Sequence, residues 1–398
     1  MSRREWIVGL ALAIFAGMTF GSVATAVAQA PTELVVGYAV PLSGGLSVVG
    51  RLADQAHRLW VEHVNAQGGI LVKELGKKVP VRAITYDSRS TTSDAQRLYE
   101  KLIAEDKVHF VLGAWGSADA FAVSVVTERH GYPFLPSAAS AEGIYQRGFK
   151  TVFQLSQRPS QTAEAIAEFL TTLKGQIKTV AIAQQNYVYT NDIMEALEPK
   201  LKGAGFEIVA KEVFPRGSQE FTGVLTKVKA AQPDAFLVLA VPPDFFPLPQ
   251  QAETQGVKAK LKYSFLGPIF DAWMKAMGKG AEGWVDSPGW APGLRFPGAE
   301  KFEKDFAAKF NIAPSHDAAW AYAGDDILRQ AIEKAGTLDR KKVLEVLHRE
   351  SFSTINGTYK WDASGRAELL VAFTQAQGGK RVIIWPKSIA TGELVLGK

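Results

Sequence analysis

The chain contains no cysteine. Disulfide staples, thiolate metal sites and cysteine nucleophiles are therefore excluded at once. Histidine is scarce, and His57, His63, His109, His130, His316 and His348 show no His-x-x-x-His or comparable spacing with an acidic partner. No metal site and no cofactor are expected from such a set. There is no Gly-x-Ser-x-Gly elbow, so a hydrolase nucleophile is missing and an enzyme is not expected. A formal charge of +5 over 398 residues is mild. No Lys/Arg run follows the spacing of a phosphate backbone, which argues against nucleic acid as a partner. Beyond residue 30 no apolar run is long enough to span a bilayer, so the mature chain is expected to be soluble.

What is present begins with an export signal over residues 1–30. Arg3 and Arg4 form a charged head, an apolar run extends from Trp6 to Phe20, and Ala26-Val27-Ala28 and Ala28-Gln29-Ala30 both fit a cleavage site. Gly and Ser punctuate the apolar run, which reads against a membrane anchor. Ser2-Arg3-Arg4 partly matches a twin-arginine signal and leaves the export route open. The remaining length suits two globular units, each with its own core.

Strand and helix patterns then alternate. Leu34 to Val40 reads as a strand, followed by helical spacing of Leu52, Ala56, Leu59, Trp60 and Val64 up to Gly68-Gly69. Further strands are expected over Val79 to Tyr86, Val108 to Leu112 and Pro133 to Ala138, with helices over Thr92 to Glu105 and from Ser117. The rhythm restarts after Phe153, with helices at 160–173, 191–202 and 220–231 between strands at 179–183, 206–213 and 235–239. Three helices (299–310, 318–334, 340–350) and a β-rich finish complete the chain. Two such series predict an α/β fold of two doubly wound parallel-sheet lobes.

Two motifs are set aside. Gly278-Lys279-Gly280-Ala281-Glu282-Gly283 matches a dinucleotide fingerprint, but it follows a helical segment and precedes a strand. That order is wrong for a phosphate cradle. Asn356-Gly357 before a strand reads as a turn.

Ligands of open α/β sheets bind beyond the carboxyl ends of the strands. Four such ends carry suggestive residues: Pro41 to Gly45 with Leu46 behind it, Gly113 to Ser117, Pro136 to Ser140, and Asn186 to Thr190. Ser117 opens a helix, where a hydroxyl and free amides can hold an anion without a formal positive charge; simple capping by the same serine is the alternative.

The chain resembles the periplasmic binding proteins of branched-chain amino acid ABC importers. The resemblance runs from Leu34 to about Trp385 and rests on modest motifs in the right order. They include Val40-Pro41-Leu42-Ser43-Gly44, Val64 to Ile70, Tyr86-Asp87, Val111-Leu112-Gly113, Pro136-Ser137-Ala138, Tyr189-Thr190, Gly267-Pro268 and Trp361 to Gly365. It implies a type I periplasmic binding protein, with lobe 1 over 31–155 and 287–365, lobe 2 over 156–286 and 366–398, and a three-crossover hinge. It also implies a periplasmic monomer that hands a small molecule to permease subunits. By the same resemblance Ser117 and the loop Ser137, Ala138, Ala139 and Ser140 would hold a ligand carboxylate, and Tyr189 would cover the ligand.

One departure from the family pattern bears on the ligand. The acidic residue that holds an α-ammonium just after Gly267-Pro268 is replaced by Ile269, followed by Phe270. A desolvated, unpaired ammonium would cost ~3–5 kcal/mol. The expected ligand is therefore an aromatic carboxylate without an α-amino group, its ring against Trp115, Tyr189, Ile269 and Phe270, with Phe245, Phe246 and Trp290 as further aromatics of the region. The alternatives are a branched-chain amino acid or amide held by Asp244 or Asp271, and a ligand-sensing domain read by a partner receptor.

Overall fold

The computed structural model describes residues 31–397; the export signal expected over 1–30 lies outside them. Two sheets organise the chain. The first has the order Val81–Asp87, Leu34–Val40, Phe110–Val111, all parallel. The second has the order Lys380–Trp385, Phe373–Gln377, Trp284–Asp286, Leu261–Ser264, Ala235–Leu239, Thr179–Asn186, Glu207–Pro215. Its last five strands are parallel, and the two from the C-terminal stretch join antiparallel.

The local reasons are legible in burial. Leu34–Val40 and Ala235–Leu239 are buried on both faces, as strands covered by helices on each side must be. The helix Ser47–Ala66 buries Val49, Leu52, Ala56, Leu59, Trp60 and Val64, a single 3.6-period stripe. It packs on the helix His316–Ala335, which returns late in the sequence to cover the first sheet's side of the molecule. Gly69 ends the hairpin approach at φ 101°, where a Cβ would lie 2.2 Å from the Val79 carbonyl oxygen. Only glycine fits there.

Three chain segments pass between the regions of the two sheets, and they lie side by side. Gln154 donates its N–H to the Gly365 carbonyl (2.9 Å), and Trp361 Nε1–H donates to the Gln154 carbonyl (2.7 Å). Gln157 Nε2 reaches the Leu370 carbonyl at 2.6 Å. The third segment touches them at Gly289, where a Cβ would stand 2.1 Å from Gln157 Nε2. The fold is thus the two-lobe α/β arrangement with a three-crossover hinge.

One expected strand differs. Pro133 to Ala138 forms only a bridge, Phe134 to Val152; prolines at 133 and 136 lack the N–H a ladder needs. The segment Phe265 to Pro268 directly follows the strand Leu261–Ser264. Among the described residues no helix is long and apolar enough to cross a membrane.

Candidate functional site

A cavity opens where the strand ends of both sheets converge. Trp115, Gly116 and Ser117 come from the turn after Phe110–Val111, and Ala138 from the loop after the Phe134 bridge. Tyr187 and Tyr189 follow Thr179–Asn186, Val241 follows Ala235–Leu239, and Phe265 and Leu266 follow Leu261–Ser264. Ser156 belongs to a crossover. The remaining wall is His316, Asp317 and Trp320 on the first turns of the helix His316–Ala335. Five aromatic rings, Trp115, Tyr187, Tyr189, Phe265 and Trp320, therefore surround this space.

Ser117 stands at the N-terminus of the helix Ser117–His130, after Gly116 at φ 94°. Its Oγ accepts the Ala141 N–H (3.2 Å), which leaves the hydroxyl hydrogen available to an acceptor in the cavity. The next amide, Ala118 N–H, donates to the Tyr187 hydroxyl at 3.3 Å. That bond spans the cleft. A second cross-cleft bond runs from Ala313 N–H to Asp271 Oδ2, 2.9 Å.

Tyr189 donates to the Gln157 carbonyl at 2.8 Å, so the crossover fixes its ring, which lies 5.2 Å from that of Phe265. Burial pushes its hydroxyl up to about 12. Asp317 is fully enclosed, and burial pushes its carboxyl up to about 7 against the opposing bonds from Trp115 and Ser315. His316 is pushed down to about 3 by burial alone, so its imidazole is neutral.

The structure brings Trp115, Ser117, Ala138 and Tyr189 together on this cavity. The other expected residues are placed elsewhere. Ser137 Oγ is engaged by the Ala114 carbonyl (3.2 Å), Ser140 Oγ by the Gln157 carbonyl, and the Ala139 side chain is buried in the core. Leu46 is core, with its N–H on Ser90 Oγ at 3.0 Å. Ile269 is buried and donates its N–H to Asp286 Oδ2 (2.7 Å). Phe270 packs between Phe245 and His316, behind the wall, and Phe245 is itself fully buried against Phe246. Trp290 bonds the Ile355 carbonyl (3.1 Å).

Neither candidate acid faces the cavity. Asp244 accepts from Gln185 and Gly217, and Asp271 is held by Arg381 and Ala313. The carboxyl that does line it, Asp317, went unnoticed in the sequence because it sits in an ordinary helical pattern far from any strand end. His316 and Trp320 escaped for the same reason. Tyr187 and Phe265 had a usable signal, since both directly follow second-sheet strands.

The family model for periplasmic binding proteins matches residues 33–380. A Leu/Ile/Val-binding protein homolog 7 of Brucella suis is 26% identical over 389 residues, covering 93% of this chain and 95% of that protein. A solute binding protein of an ABC transporter from R. palustris, solved in complex with benzoate, superposes with a TM-score of 0.79 at 20% identity. That match covers 92% of this chain and 99% of the other. A branched-chain amino acid transporter substrate binding protein from Streptococcus pneumoniae, in complex with isoleucine, gives the same TM-score of 0.79 at 22% identity, covering 89% and 100%. Equal superposition on a benzoate complex and an isoleucine complex fixes the frame and leaves the ligand to the lining. The chain belongs to the periplasmic binding protein family and is a solute-binding protein.

Proposed function

We propose that the chain works outside the cytoplasm, captures a small aromatic carboxylate between its lobes, and delivers it to the permease of an ABC importer. The observation that carries this reading is the ring of five aromatic side chains around one helix N-terminal serine. Burying about 150 Å² of ligand ring against that wall contributes roughly 3–4 kcal/mol. The Ser117 hydroxyl and the end of its helix then orient the carboxylate. Closure follows because the ligand touches both sides at once, adding to the Ala118–Tyr187 bond a set of contacts absent from an open form. A solved protein of the same fold, in complex with benzoate, supports the reading.

One observation favours a second reading. Asp317 in the lining is an acid whose ionised form an α-ammonium would stabilise, its proton passing to the buffer, so a branched-chain amino acid has a partner there. The two readings separate by titration calorimetry of the purified protein with benzoate, a phenylpropenoate and leucine in buffers of different ionisation enthalpy. An aromatic acid bound at micromolar concentration without proton release is the expected result. Micromolar leucine with a proton released, and silence from the aromatic acids, would overturn it.

A further inference from the structure

The bond that spans the cleft is held from behind. Ala118 is the second residue of the helix Ser117–His130, so its N–H has no acceptor within that helix and turns to the Tyr187 hydroxyl, 3.3 Å away. Tyr187 and Arg216 leave the second sheet side by side, because Thr179–Asn186 and Glu207–Pro215 pair in parallel up to Asn186 and Pro215. The Arg216 guanidinium carbon lies 4.6 Å from the centre of the Tyr187 ring. Its Nε and Nη2 both donate to the Pro242 carbonyl, at 3.3 and 3.2 Å, so the cation is anchored to the turn after Ala235–Leu239.

A guanidinium is attracted to the face of a phenol ring, and its planar fork holds ring and carbonyl together as a rotating ammonium does not. Without such a partner, a tyrosine caught across a cleft loses its rotamer freedom at the moment of capture. Arg216 removes that freedom beforehand, which is preorganisation.

We infer that Arg216 is a positioning residue for closure: stacked on Tyr187, it presents the hydroxyl to the Ala118 N–H and slows reopening around a bound ligand. This rests on the ligand-driven closure proposed above, whichever ligand drives it. Arg216, Tyr187 and Pro242 all stand on the second sheet's side, so the stack survives opening and only the bond to Ala118 is made and broken. The rival role for Arg216 is to tie down the Pro242 turn and nothing more.

The full chain is to be compared with Arg216→Gln, Arg216→Lys, Tyr187→Phe and the double variant Arg216→Gln/Tyr187→Phe by stopped-flow tryptophan fluorescence. Arg216 is exposed and Tyr187→Phe keeps the ring, so these changes spare the core. Benzoate is the probe, or leucine where benzoate does not bind; leucine binding with the pattern below intact overturns the aromatic-acid reading and keeps the latch. Arg216→Gln should speed dissociation about three- to fivefold and leave association within about twofold. Tyr187→Phe should do the same, and the double variant should be no faster than Tyr187→Phe, because the arginine acts through the hydroxyl. Arg216→Lys should recover only part of the loss. Unchanged dissociation in Arg216→Gln overturns the inference. So do effects that multiply in the double variant, which leave Arg216 as a tie for its turn. With neither probe bound, amide hydrogen exchange of the ligand-free protein decides. Exchange at Ala118 should quicken in both Arg216→Gln and Tyr187→Phe, and wild-type exchange in Arg216→Gln overturns the inference.

Discussion

Trp115 Nε1 donates to Asp317 Oδ1 at 2.7 Å, joining two walls of the cavity that are 202 residues apart in the chain. Trp115 comes from a strand-end turn two residues before the Ser117 helix, and Asp317 from the opening of a helix that covers the first sheet. The bond sets the tilt of an aromatic wall and gives the buried carboxyl one of its few donors. Ring position and the protonation of the acid are thereby linked.

Trp115→Phe keeps the ring and removes that donor. Asp317 then loses a group that favours its charged form, and the variant should be less stable by about 1–3 kcal/mol at neutral pH. Thermal unfolding checks this: the loss should shrink in mildly acidic buffer, where the carboxyl is protonated. A loss of equal size at every pH would mean that ring packing alone is affected.

Asp317→Asn should stabilise the protein at high pH. The wild-type carboxyl is raised to about 7 by burial, while in the unfolded chain it ionises in the ordinary carboxylate range. Below that range it is protonated in both states and has no effect. As pH rises towards 7 the unfolded chain ionises first, so the folded state loses stability across this window and no further above it. The asparagine variant escapes that loss. The gap in unfolding free energy should open between about pH 4 and pH 7 and level off at roughly 4 kcal/mol. Asp286, also raised to about 7, is present in both proteins and cancels. Superimposable pH profiles would rule the assignment out.

Ser117→Ala removes the hydroxyl at the helix N-terminus and the acceptor for Ala141 N–H. Affinity for an aromatic acid should fall about tenfold, equivalent to ~1.4 kcal/mol. Calorimetry measures it, and an unchanged Kd would place the carboxylate elsewhere.

Gly289→Ala forces a methyl into Gln157, whose Nε2 would lie 2.1 Å away, and into Trp320. Both belong to closely fitted surroundings, so the hinge or the cavity wall must shift. The variant should lose roughly 1–3 kcal/mol of stability, with a loss of affinity for any ligand that reaches Trp320. Ligand-free and ligand-bound melting curves identical to the wild type would show that the crossover has room to spare.

Much of the frame was written in local pattern. Leu34–Val40 and Ala235–Leu239 begin and end where their runs of β-branched and aliphatic residues do. The helix expected from Ser117 starts there, because Gly116 supplies a backbone that no other residue adopts easily. The position of the cavity followed from topology, since strand ends of parallel sheets converge on a crevice. That reasoning found Trp115, Ser117, Ala138 and Tyr189. The family resemblance put Ile269 and Phe270 at the place of the missing acid and so in the lining, but apolar residues serve a core equally well, and there they lie.

The sequence by itself determined the class of fold, the order of its elements and the absence of thiol chemistry, because these depend on short-range periodicity and composition. Only the tertiary structure decided which acid and which aromatic rings line the cavity. His316, Asp317 and Trp320 reach the cavity through packing of a late helix against elements from the start of the chain, a contact over more than two hundred residues that no local pattern encodes.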